Sequence, residues 1–166
     1  MKGLVLTVGA IIACASFPLA QEKSDVPDGW TEINICRISF FAPPDLKNQD
    51  LKGIDSCVAQ FANNDIALYM DYGLYGGPAT ARGSELEWKQ ETLSVGGKDA
   101  QLTTFVDATH SNSGLKYIAS LYVVVKPVES GRERESRPTT LMMSVTSDRR
   151  KDRDTALATF RTIRFE

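Results

Sequence analysis

A single histidine among 166 residues rules out any centre built on two or more imidazoles. The three cysteines, Cys14, Cys36 and Cys57, have no C-x-x-C spacing, so the ordinary zinc frameworks are excluded as well. Excess charge of one sign is also missing. Lys and Arg number 19 against 21 Asp and Glu, and the formal net charge of -2 lacks the electrostatic footprint of a nucleic-acid binder. No apolar run reaches the roughly 20 residues that a bilayer core requires, so no transmembrane span is expected. Around Ser56 there is neither a Gly-x-Ser-x-Gly elbow nor a Ser-x-x-Lys pair, and the Asn63, Asn64 and Asp65 cluster is too small a set of oxygen ligands for calcium. Neither a cofactor nor a metal is expected on these grounds.

What the chain does contain is apolar residues, at 42% of its length, enough for one domain with a proper core. They begin in the leader. Lys2 precedes an apolar run over residues 4–13, then small residues and Pro18-Leu19-Ala20-Gln21, the order of regions in a secretory signal. The sequence therefore predicts a signal peptide over 1–20, a polar tether over 21–29 and a single domain over 30–166, in a secreted or periplasmic protein. A cut after Ala15 is an alternative. So is a lipid anchor, because Ile11-Ile12-Ala13-Cys14 resembles a lipobox in which Cys14 would be acylated. With the leader removed, Cys36 and Cys57 remain in an oxidising compartment and are expected to form a disulfide; two buried free thiols are the alternative.

Periodicity then organises the domain. Residues 30–42 alternate as one bent strand or two short ones, and 46–53 reads as a loop or a single helical turn. Strands over 56–61 and 66–71 flank Asn63-Asn64-Asp65, whose side chains bond their own backbone in tight turns. Glu85 to Lys89 reads as a short helix leading into a strand, which turns at Gly96-Gly97-Lys98-Asp99 into a strand over 100–106. Residues 115–125 are apolar on both faces, the pattern of a central strand covered above and below. After another strand, over 140–146, Ala156, Leu157, Phe160 and Ile163 recur at helical spacing, with a short strand at 164–166. The elements together read as α+β, a predominantly antiparallel sheet with helices packed on it.

Of the residues that could carry function, Tyr72 and Tyr75 stand out, because two tyrosines among Gly73, Gly76, Gly77 and Pro78 make an amphipathic binding surface. Asp55 beside Ser56 fits a local turn better than a nucleophile, and His110 fits an exposed turn. The basic run Arg149-Arg150-Lys151 is flanked by Asp148, Asp152 and Asp154, as on a solvated helix entrance, and Arg132, Arg134 and Arg137 alternate with Glu133 and Glu135.

Phe40-Phe41-Ala42-Pro43-Pro44, Val95-Gly96-Gly97-Lys98-Asp99-Ala100 and the closing segment 156–165 together resemble the Mog1/PsbP-like domains. That resemblance implies an α/β/α sandwich and an accessory or docking role without catalysis. The functional expectation is accordingly an exported, non-catalytic binding or accessory domain for a protein or small-molecule partner, with Tyr72 and Tyr75 on its surface. Two other readings stand beside it. One is a small hydrolase or transferase working through paired carboxylates such as Asp55 and Asp71. The other is a structural lipoprotein tethered through Cys14.

Overall fold

A computed structural model describes residues 26–108, 116–126 and 138–166. The leader with Cys14, His110, Arg132, Arg134 and Arg137 lie outside these residues. In chain order the elements are β1 (Thr31–Ile35), β2 (Ile38–Ala42), β3 (Lys47–Asn48), β4 (Cys57–Ala62), β5 (Ile66–Gly73), β6 (Glu85–Val95), β7 (Lys98–Asp107), β8 (Lys116–Lys126), β9 (Thr139–Ser147), α1 (Asp152–Arg161) and β10 (Arg164–Phe165). They form two antiparallel sheets, a small one ordered β1-β2-β10 and a seven-stranded one ordered β3-β4-β5-β9-β8-β7-β6.

The expected α+β sandwich is therefore corrected. The described chain is mostly β, with one helix in place of helical layers. The difference arises chiefly at 85–89, expected as a short helix and found as the first part of the strand Glu85–Val95. Glu, Leu, Lys and Gln there favour a helix locally, but the following turn places the whole segment alongside β7 from Val95↔Lys98 to Glu85↔Asp107. Strand pairing over that length outweighs propensity differences of a few tenths of a kcal/mol per residue. Residues 46–53 likewise contribute the short edge strand β3 where a helical turn was an alternative.

Local chemistry accounts for the turns. Gly96 and Gly97, at φ +55° and +74°, close a two-residue hairpin in which both central residues need positive φ. The ring of Phe165 lies so close to Gly96 that a Cβ there would stand 2.7 Å from it, so no other residue fits without movement. Between β4 and β5, the Asn63 side-chain oxygen accepts from the amides of Asp65 and Ile66 at 2.9 and 2.8 Å. The segment 30–42 resolves into two strands. Its turn, Cys36-Arg37, has both residues at positive φ (57° and 63°) without a glycine, at a cost of about 1–2 kcal/mol per residue.

The core lies on one side of the large sheet. From β2, Ile38, Phe40 and Ala42 are buried, and the Phe40 ring meets Phe61 of β4 edge-on at 6.1 Å. From α1 and its exit, Ala156, Phe160 and Ile163 join Leu68, Met70, Leu121, Leu141, Met143 and Val145 of the sheet in the same cluster. Thr162, just past the helix, accepts a hydrogen bond from the Phe41 amide at 2.8 Å, tying α1 to β2. The cysteines complete the attachment: a disulfide joins Cys36 in the β1–β2 turn to Cys57 at the start of β4, across a sequence separation of 21.

Closing a loop of that length contributes about 3 kcal/mol in the chain-entropy view. Replacing Cys36 and Cys57 by serine is expected to cost about that much in denaturant unfolding, with a matching fall in midpoint; an unchanged midpoint would show that the small sheet is held without the bridge.

An open sheet face as the candidate functional site

Alternation along each strand gives the seven-stranded sheet two faces, and the register of its pairs places every side chain on one of them. The covered face carries Leu68, Val145 and Ala119, which are aligned across β5, β9 and β8. The opposite face carries Tyr69, Ser144, Ser120, Thr103 and Gln90 in one row and Asp71, Met142, Tyr122, Gln101 and Thr92 in the next. Neither α1 nor the small sheet lies on that side. On β8, Ala119, Leu121 and Val123 are fully buried, whereas Ile118 and Tyr122 are half-buried and Val124 is 40% exposed. The strand is central in the sheet order, but among the described elements its cover is on one face, where the sequence pattern predicts both. An apolar pattern on both sides identifies residues that avoid water without saying what avoids it with them.

Aromatic side chains concentrate at one end of this open face. Trp88 stacks on Phe105 with ring centroids 5.2 Å apart and planes 29° from parallel. A bulge creates the arrangement: pairing of β6 with β7 shifts between Leu86 and Lys89, and Glu87 takes φ +54°. The Glu87 carboxylate pairs with Arg150, whose guanidinium lies 5.8 Å from the centre of the Tyr117 ring. A helical reading of 85–89 misses this site. Reading 88–95 as a strand would have put Trp88 on the same face as Gln90, Thr92 and Ser94.

The two tyrosines named from the sequence part company. Tyr72 pairs with Cys57 in the register and is half-buried against the core. Tyr75, past the end of β5, is 60% exposed, with Leu74 beside it at 44%. Their loop folds back on the open face: a Cβ at Gly76 would sit 3.3 Å from Met142, and the Thr140 hydroxyl lies 3.2 and 3.3 Å from the carbonyl oxygens of Gly73 and Gly76. Tyr75 therefore stands at the rim of the sheet face, while Tyr72 packs on the reverse side.

The carboxylates also separate by element. Asp55 is exposed in the loop before β4. Asp71 belongs to β5 on the open face, where its Oδ1 is buried without a hydrogen-bond partner among the described residues. One cavity of about 440 Å³ is lined by Ile35, Asn48, Asp50, Leu51, Lys52, Val58 and Ala59, and by neither of those acids. No group of three or more His, Cys, Asp or Glu side chains suited to a metal occurs among the described residues. The basic run at the helix entrance is engaged in ion pairs, Arg149 with Asp65 and Asp152, and Arg150 with Glu87. Hydrogen bonding to Asp152 raises the Arg149 pKa.

The face has one electrostatic signature. Burial raises the Tyr69 pKa above its usual 10.0, and the negative charge of Asp71, two residues along the same strand, adds to the effect. The neutral phenol's contribution to stability is therefore complete below about pH 10 and is lost as the pH rises through the folded-state value. In Asp71→Asn, the Tyr69 ring resonances followed by NMR are expected to titrate at lower pH than in the parent, while staying above an ordinary tyrosine because the burial remains. An unchanged titration would mean that Asp71 does not act on this ring. No family model matches the sequence, and no curated protein matches it.

Proposed function

We propose that this chain is an exported, non-catalytic binding or accessory domain whose partner, a protein or a small molecule, lies against the open face of the seven-stranded sheet. The observation that carries the reading is a strand face that neither α1 nor the small sheet covers, holding Trp88 stacked on Phe105, with Tyr69, Tyr122 and Val124 half-buried or exposed beside Ser144 and Thr92. Aromatic side chains offer apolar area at low entropic cost, and the accessible hydroxyls of Ser144 and Thr92 offer hydrogen bonds for orientation. Such a surface holds a partner without needing to transform it. Tyr75 and Leu74 extend it at the rim.

Export is supported by the Cys36–Cys57 disulfide, which belongs to oxidising compartments, and by the signal-like leader. Among the described residues, no helix is long and apolar enough to cross a membrane. The mature chain would begin at Gln21; acylation at Cys14 is the alternative, and an intact mass separates the two.

The full chain is to be produced in an exporting host with a photo-cross-linking residue at Val124, and separately at Glu32, exposed on β1 of the small sheet, as a control on the covered side. A discrete adduct is expected from position 124 and none from 32. With the adduct partner identified, Tyr122→Ala is expected to weaken its binding roughly tenfold or more, the loss typical of an aromatic anchor. Adducts that are absent, or identical from both positions, would overturn the proposal.

A further inference from the structure

The two ends of the large sheet differ. At one end β3 contributes two residues; at the other β6 contributes 11, and among the described residues nothing pairs with its outer side. A long unpaired edge strand presents a row of amides and carbonyls, which folded proteins either blunt or use. The bulge around Glu87 disturbs one end of β6 and leaves the run from Lys89 to Val95 in continuous register with β7.

The Gly96-Gly97 turn tells which backbone groups face out. In a two-residue hairpin the closing pair, here Val95 and Lys98, exchanges its hydrogen bonds. Alternation then turns the N–H and C=O of Ser94, Thr92 and Gln90 away from β7. Their side chains lie on the open face, and those of Lys89, Glu91 and Leu93 on the other. Lys89 and Glu91 form an ion pair along the strand at 2.5 Å and are both well exposed, so their charges are available to a strand laid beside β6.

Charge complementarity identifies that strand. We infer that β6 pairs antiparallel with β6 of a second copy about a two-fold axis through Gln90, extending the sheet across two molecules. About that axis Lys89 of each copy faces Glu91 of the other, giving two opposite-charge pairs, and Gln90 faces its own equivalent in a hydrogen-bonded pair. An axis through Lys89 or Glu91 would set like charges directly opposite each other, which is destabilising. An axis through Thr92 or Leu93 brings no opposite charges across the seam. The bulge ends the paired stretch just beyond Trp88, so the seam is short and the dimer reversible.

Sedimentation equilibrium on the full chain as exported tests the pairing. The parent is expected to show a monomer–dimer equilibrium. Lys89→Glu and Glu91→Lys, each alone, are expected to weaken it about tenfold or more, since each sets like charges in both cross-strand positions. An equimolar mixture of the two variants is expected to recover it as a mixed dimer. In a Cys14→Ser background, Gln90→Cys is expected to give a disulfide-linked dimer under mild oxidation, whereas Thr92→Cys is not, its equivalents being offset by four residues, roughly 14 Å. Three results would overturn the inference: a parent that stays monomeric at every concentration, a dimer indifferent to both charge variants, or β6 amides protected from exchange by some other component while the chain is monomeric.

Discussion

Burial of one face of the seven-stranded sheet beneath Ile38, Phe40 and Phe160 is the interaction on which the rest of the molecule depends. An antiparallel sheet is stable in water when a single face is packed, because alternation places every second side chain there and leaves the others to solvent. The small sheet and α1 are both used on the same side. That economy leaves a broad surface covered by neither α1 nor the small sheet, and an edge strand beside it without a neighbour among the described residues.

The attachments of the covering layer follow the same logic. β2 reaches the sheet through the Phe40–Phe61 contact, its hairpin is tied to β4 by the disulfide, and its outer backbone is bonded to Thr162 at the helix exit. The Cys36-Arg37 turn is held in a backbone region unfavourable to both residues. A covalent bond at that position offsets the local strain and holds the covering layer against β4.

The open face and the edge are different kinds of surface. On the face, stacked and half-buried aromatics present area, so what they bind is set by shape and apolar chemistry. At β6 the backbone itself is the ligand-binding group and exposed charges choose the register. The bulge at Glu87 serves both: it turns Trp88 toward Phe105 and ends the regular edge. Asp55 lies exposed in the loop before β4 and Asp71 on β5 with its Oδ1 buried, and neither lines the cavity beside β4.

Several features were legible from the residues alone. Gly96-Gly97, Asn63 and the spacing of Ala156, Leu157 and Phe160 each encode a backbone conformation within a few positions, and Cys36 and Cys57, expected to pair, form the disulfide. Tertiary structure decided the rest. It made 85–89 part of a strand, split Tyr72 from Tyr75 between core and rim, and left Ile118 and Tyr122 without a covering layer among the described elements. The reason is physical: turn geometry and helical periodicity are local properties, whereas which face of a sheet is covered depends on where distant segments pack, and no window of neighbouring residues contains that information.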